Sequence, residues 1–454
     1  MNFKKVILIV LGLILLFLTF NMFTVYQREN SVLVFQFEVK SDLLDDYQLF
    51  YSTKEDEEWS EENSIHQTYD KPGIWQTIKY VVPKNIYSIR TDLGNHEAII
   101  GVKNVRLIGT SNVDVSLGDA INLKNQLEII EQQDNNLTIK ALDKDPFLTL
   151  DIKSLLDTAI NSSDITSKVK AALLSLLTTL VCLYIVNSTK DICKYMREIY
   201  RGRSIIFNLA RNDFKTKYAS SYLGIVWGFI QPLLTIVTYW FVFQVGLRSG
   251  NVSDVPFILW FIVAIIPWFF FSEALTGATN VYSEYSYLVK KVVFKIELLP
   301  VVKIVSALFV HLFFIIFIFA MYIGYGYYPD FYNVQLIYYL LCTIALAFSV
   351  SLLTSTFVLF FKDLNQIIII VLQIGFWFTP IGWPPTMLSN SWVKIFKLNP
   401  MFYIVEGYRD TFIRNVPFID HPYYTIYFWL FCVTAFVIGV NSFKKLKPHF
   451  ADVI

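Results

Sequence analysis

The chain has 454 residues, of which 55% are hydrophobic, including 40 Phe and 27 Tyr. That is more apolar surface than a soluble protein of this size can hide, so composition excludes an ordinary soluble globule and assigns much of the chain to lipid. The formal net charge of +1 conceals an uneven distribution: residues 26–168 hold 14 Lys+Arg against 24 Asp+Glu, and the remainder holds 24 against 13.

In chain order, residues 6–25 form an almost unbroken apolar run. About 20 helical residues reach across a hydrocarbon core of about 30 Å. Lys4 and Lys5 ahead of it favour a cytoplasmic N-terminus. No small-x-small cleavage signature precedes Tyr26, so residues 1–25 read as an uncleaved anchor. The acidic segment 26–168 then changes period. Short β-branched runs at 31–39, 76–82, 86–90, 98–108, 126–131, 137–142 and 147–152 are punctuated by Pro72-Gly73, Asp92-Leu93-Gly94 and Asp134-Asn135-Asn136. They predict a small all-β sandwich. Residues 41–63 read as a loop, with Glu55-Asp56-Glu57-Glu58 as a solvated face. Trp59, Trp75 and Tyr80, with Tyr69 and Tyr87, are candidates for stacking on sugar rings, which gives this domain a possible carbohydrate-binding role beside a structural or partner-docking one.

A second apolar run covers 169–186, within a span assigned to 169–187. The linker 188–222 that follows carries eight basic residues, from Lys190 to Lys217, which marks the cytoplasmic side and leaves the β-domain outside. Six more apolar runs, at 223–246, 257–276, 299–323, 336–361, 367–381 and 423–440, predict a six-span core over 223–443 and a basic cytoplasmic tail at 444–454. Residues 382–422 break the charge rule with Lys394, Lys397, Arg409 and Arg414, and read as re-entrant or interfacial helices. The fold expected is a polytopic α-helical membrane protein, eight spans in all, with an extracytoplasmic β-sandwich and both termini inside. Three of the cysteines (Cys182, Cys193, Cys342, Cys432) lie in apolar runs. Their spacing fits no metal site, and no disulfide is expected in the acidic segment.

Residues 211–234 begin charged and amphipathic and end apolar, as a helix would that lies in the inner interface and then turns into a span. Gly224 and Gly228, four apart, predict one helical face open to close contact. This segment, followed in order by Lys362-Asp363-Leu364, Thr379-Pro380-Ile381, Leu398-Asn399-Pro400-Met401 with Glu406-Gly407-Tyr408-Arg409, and a C-terminal Lys447-Pro448-His449-Phe450, resembles the ABC-2 type permeases that export polysaccharides, O-antigen or teichoic acids. The resemblance covers about 201–454. It departs from the family at Phe294-Lys295, where Phe-Pro is usual, and it says nothing of residues 1–200.

The resemblance implies a membrane permease subunit rather than an enzyme, with no catalytic residues and no cofactor of its own. It implies two copies of the chain above a cytoplasmic ATPase dimer that holds ATP and Mg²⁺, in a bacterial cytoplasmic membrane. The absence of a GxxxxGK[ST] pattern agrees with ATP hydrolysis on another chain. Tyr282, Tyr285, Tyr287, Lys290 and Lys291, in the coupling segment 280–295 with Lys295, are candidates to meet the ATPase. Arg211, Lys215, Lys217, Tyr218 and Tyr222 would form the interface helix, its cations offered either to the pyrophosphate of a lipid-linked glycan or to anionic lipid. Trp240, Phe241, Trp268, Phe269, Phe270 and Trp377 are channel-lining candidates. Glu273, Glu297 and His311 lie in or beside apolar runs and need partners or water. No nucleic-acid partner is expected. The alternatives are a teichoic acid exporter or a non-transporting glycan sensor.

Overall fold

The computed structural model describes residues 3–29, 31–54, 58–133, 136–143, 145–161, 165–219, 222–248, 250–252, 255–291 and 294–453. Most of the 55–58 acidic run, the Asp134-Asn135 turn positions, Ser220-Ser221 and Val292-Val293 lie outside these. The chain divides into two compact units, Met1–Leu183 and Tyr184–Ile454.

The first unit opens with α1 (Phe3–Glu29) and continues as two antiparallel sheets. The strands are β1 (Leu33–Ser41), β2 (Asp45–Ser52), β3 (Ser64–Tyr69), β4 (Gln76–Val82), β5 (Ser88–Asp92), β6 (Ile99–Ile108), β7 (Asn112–Asp114), β8 (Ile121–Asn125), β9 (Leu127–Gln133), β10 (Asn136–Ala141) and β11 (Phe147–Asp151), with one helical turn, α2 (Leu117–Ala120), before β8. One sheet runs β4-β1-β6-β10-β9 with β7 on β6, and the other runs β3-β2-β5-β11-β8. Alternation decides the faces: Leu33, Phe35, Phe37 and Val39 of β1 are buried against Tyr47, Leu49, Ile89 and Leu150. The sandwich is as expected, but the 41–63 loop is not one, since β2 lies inside it and pairs with β3 and β5. Asp42, Asp45 and Asp46 crowd its start and mask the apolar alternation of Tyr47, Leu49 and Tyr51. Tyr80 and Tyr69 are fully buried between the sheets, so neither ring is open to a glycan. Their places in alternating strands turn them inward.

After α3 (Lys153–Asn161), the 37-residue α4 (Ile165–Arg201) runs on past its apolar run into the basic segment, and Gly202 separates it from α5 (Arg203–Lys217). The second unit continues with α6 (Trp227–Trp240), α7 (Phe257–Thr279), the single turns α8 (Val281–Glu284) and α9 (Ser286–Val289), α10 (Leu299–Gly324), α11 (Leu336–Val358), α12 (Leu364–Phe378), α13 (Asn390–Phe396), α14 (Pro400–Arg409), α15 (Pro422–Leu446) and α16 (Phe450–Val453). Among the described residues, seven helices are long and apolar enough to cross a membrane. The expected span at 367–381 is α12, whose 15 residues reach only about 22 Å. Thr379-Pro380 ends it. The segment 382–422 that follows is broken into short helices.

α7 is the axis of this unit. Every residue from Phe257 to Trp268 is buried, packed by α10, α11, α12 and α14. The motif residues hold this packing together. Asn399 caps α14 by accepting from Met401 N (3.0 Å) and donates to Thr379 Oγ1 (2.8 Å). Arg409, almost completely buried, donates to Glu406 (2.7 Å) and Ile381 O (3.0 Å), and its guanidinium lies 3.4 Å from the Trp260 ring centroid. At the other end Phe450 is buried against Tyr282 and Phe443, and Lys447 pairs with Glu297 at 3.0 Å. His311 is buried too, with Nε2 3.1 Å from the Tyr408 hydroxyl and its ring stacked on Phe270.

Candidate functional site

A charged cleft of ≈ 680 Å³ opens where α5, α6, α7 and α10 meet. α5 contributes through two faces. Ile206, Ala210 and Asp213 face inward and are buried, with Lys217 one turn beyond Asp213. Arg211 and Lys215 face outward and are exposed. Lys217 Nζ reaches Glu273 Oε1 of α7 at 2.5 Å. Burial alone would lower the Lys217 pKa, but the Glu273 carboxylate and its hydrogen bond outweigh it and hold the ammonium above the ordinary lysine range. The carboxylate that sequence reasoning left without a partner in lipid therefore has one.

Deeper in the cleft, Lys303 of α10 bridges Asp213 (2.7 Å) and Glu284 (2.6 Å). The Tyr285 hydroxyl also donates to Asp213, at 2.9 Å. Burial, and then the neighbouring Asp213 carboxylate, push the Tyr285 phenol far above its usual value. Lys303 and Asp213 are both nearly buried. This cluster ties the 281–289 turns to α5 and α10. Sequence reading missed Lys303, although a lysine inside an apolar run is itself a sign that a partner waits for it.

The cleft continues along α6, α7 and α12. Gln231 and Thr235 also wall a cavity of ≈ 500 Å³ with Trp227, Thr238 and Tyr239. Ser272 and Thr276 also wall one of ≈ 570 Å³ with Tyr239, Trp268, Gln373, Phe376 and Trp377. The three cavities share these wall residues, and the groove they outline is charged at one end and lined beyond by aromatic rings, hydroxyls and carboxamides.

Of the channel-lining candidates, Trp268, Phe269 and Trp377 border the groove. Phe270 does not, because it is buried against His311. Trp240 packs half-buried on the core around α7, and Phe241 is exposed in a π-helical turn, away from the groove. Tyr239 and Phe376, which belong to the same crowd of core-span aromatics, border it too; Gln231 and Gln373 were missed, because apolar runs do not disclose which face meets a cavity.

On the interface helix, Lys217 and Tyr218 line the cleft. Tyr222 projects freely beyond the end of α5. Gly224 has φ +55°; it makes the turn into α6 and does not share a helical face with Gly228. Gly228 instead leaves room for Tyr218, whose hydroxyl would lie 3.0 Å from an added Cβ.

Of the coupling residues, Tyr287, Lys290 and Lys291 are exposed. Tyr282 is buried between Phe443 and Phe450 and offers nothing to a partner. Lys295 pairs with Glu198, and this ion pair lowers the Glu198 carboxyl pKa. In the first unit, Trp75 is exposed and Trp59 half-buried. Among the described residues no cluster of His, Cys, Asp and Glu has the geometry to hold a metal ion.

Residues 205–413 match the ABC-2 type transporter family. That stretch contains every wall of the groove and the Arg409 cluster, and none of the sandwich. The chain is 26% identical over 249 residues to an O-antigen export system permease protein RfbA of Klebsiella pneumoniae, an alignment spanning 54% of this chain and 93% of that protein. It is also 26% identical over 228 residues to the protein of the same name from Myxococcus xanthus, spanning 49% of this chain and 85% of that one.

Proposed function

On the footing of the match of residues 205–413 to the ABC-2 type transporter family, we propose that the chain is the membrane-spanning subunit of an exporter for a lipid-linked cell-surface polysaccharide, driven by ATP hydrolysis on a separate subunit. The groove is the observation that carries this reading. The exposed Arg211 and Lys215 offer charge-assisted hydrogen bonds to a phosphate-bearing head group at the membrane surface. The sugar then meets the Lys217–Glu273 end of the cleft. Beyond it, Thr, Ser and Gln side chains exchange hydrogen bonds with hydroxyl edges, while Tyr239, Phe376 and Trp377 present flat faces to the CH faces of sugar rings.

The charge balance favours a largely neutral polymer. Asp213, Glu273 and Glu284 set three carboxylates in the cleft against the ammoniums of Lys217 and Lys303, a lining that repels a polyanion such as a teichoic acid. The exposed Tyr287, Lys290 and Lys291 would receive the ATPase. The Lys303 cluster would carry its movement to α5 and α10. A second copy of the chain would close the groove. In this reading the basic segments face the cytoplasm and the sandwich lies outside.

The test is depletion of the chain, followed by Lys217→Gln in its place. Depletion is expected to strip the polysaccharide from the cell surface and leave its lipid-linked form inside. Lys217→Gln is expected to lower export several-fold with the chain still present in the membrane. An unchanged surface glycan after depletion would overturn the assignment.

A further inference from the structure

We propose that the open face of the six-stranded sheet carries a glycan-binding cleft built around Trp75. A cavity of ≈ 500 Å³ lies there, bordered by Trp75 and by Lys40, Asp42, Glu131, Asn136 and Thr138. The strands fix these positions: Lys40 of β1 stands opposite Gly101 of β6, and Gly101 stands opposite Thr138 of β10. The side chains therefore project from one face of a hydrogen-bonded sheet.

Trp75 is held in place before any ligand arrives. It follows the Pro72-Gly73 turn, where Gly73 has φ +75° and donates to Ser41 O at 2.7 Å. The buried Tyr69 hydroxyl accepts from Ser41 N (3.1 Å) and donates to Ile74 O (2.9 Å), so the residue before Trp75 is pegged from below. The indole reaches across β1 onto Gly101, where an added Cβ would stand 3.1 Å from the ring. Glycine inside a strand is unfavourable, and a close approach of another group is its usual reason. Lys103, paired with Glu38 at 3.4 Å, places its ammonium 4.1 Å from the ring centroid. Trp75 as a whole still keeps 41% of its surface open.

A large apolar side chain left exposed, oriented from two sides and ringed by hydrogen-bonding groups costs little to order on binding. The partner that matches it has an apolar face and polar edges in one small unit, and a pyranose ring has both. The two lysines and two carboxylates around the cavity balance, which suits a neutral saccharide. That the saccharide belongs to the exported polymer rests on the exporter reading; that the cleft takes a saccharide does not.

The full chain, purified in detergent without ATP or any partner, is offered two fluorescently labelled probes: the polysaccharide released by mild acid from the surface of cells that make it, and a dextran of similar size. Retention of at least one probe by the native chain is expected. Trp75→Ala and, separately, Asn136→Ala should weaken it, the former about tenfold, as loss of a central aromatic anchor does. Thermal melting should be unchanged in Asn136→Ala, whose side chain is exposed, and should fall only slightly in Trp75→Ala, whose ring lies on the open face of the sheet and outside the core between the sheets. Native chain that retains neither probe, or Trp75→Ala that retains them as the native chain does, overturns the cleft. Binding that depends on Trp75, in a chain whose depletion leaves surface glycan unchanged, would keep the cleft and remove the exporter reading.

Discussion

β1 and α7 differ in how their sequences disclose the inside. In β1, Leu33, Phe35, Phe37 and Val39 are buried and the residues between them are not, because water on one side of the sheet penalises any other arrangement. In α7 the run from Phe257 to Trp268 is buried on every side. In α6, a comparably apolar helix, only Gly228 and Ile236 are buried among the described residues. Lipid does not distinguish a buried Leu from an exposed one, so helices meant for it carry no apolar stripe that marks their inner face. In the sandwich the pattern identifies the core. In the helical unit, polar residues mark it instead.

If that contrast is right, the largest single effect should come from a charge in the helical unit. Lys303→Met leaves the nearly buried Asp213 and the half-exposed Glu284 without their shared cation, and a buried carboxylate left unpaired typically costs about 3–5 kcal/mol. The expected outcome is a chain that aggregates on size exclusion in detergent. Asp213→Asn combined with Lys303→Met should recover part of that loss, since no buried carboxylate then remains at position 213. A single mutant as stable as the native chain would mean that these charges are solvated and that polar residues do not mark the core.

The sandwich should respond to apolar volume. Tyr80 is fully buried, and its hydroxyl has no hydrogen-bond partner among the described atoms. Tyr80→Ala removes a core ring and should cost about 3–5 kcal/mol, read as a lowered midpoint of proteolysis within 26–161. Tyr80→Phe keeps the ring and removes the unsatisfied hydroxyl, so it should be neutral or stabilise by about 1 kcal/mol. Equal damage from both would show that the hydroxyl, and not the ring, holds the sheets together.

The same contrast accounts for what was legible. The runs at 76–82, 98–108 and 147–152 fall on β4, β6 and β11 because alternation and turn residues agree there. β2 escaped because three aspartates crowd its start. Tyr80 and Tyr69 were mistaken for surface rings because aromatic identity was weighed ahead of strand phase. In the helical unit, the apolar runs gave the crossing helices and left the groove unseen. Its walls come from 213–307 and 369–377, and pairs such as Lys217–Glu273 or Asp213–Lys303 depend on contacts far apart in sequence. Glu273 drew notice as a charge in lipid. Lys303, inside the apolar run of α10, is the same kind of signal.

The smallest effect should fall where the short motifs do local work. Asn399 caps α14, and its amide also donates to Thr379, the residue that ends α12. Both are short helices, so neither has a long run of its own hydrogen bonds to fall back on. Asn399→Ala should cost about 1 kcal/mol for the cap, and about another 1 kcal/mol for the lost bond to Thr379. Asn399→Asp keeps the cap and removes the amide donor, so it should recover the first part alone. Hydrogen exchange at Met401 N and Phe402 N separates the two losses. Faster exchange in Asn399→Ala than in Asn399→Asp would assign the motif to helix capping. Equal exchange in both would assign it to the contact with Thr379, and so to the packing of the 382–422 segment against α12.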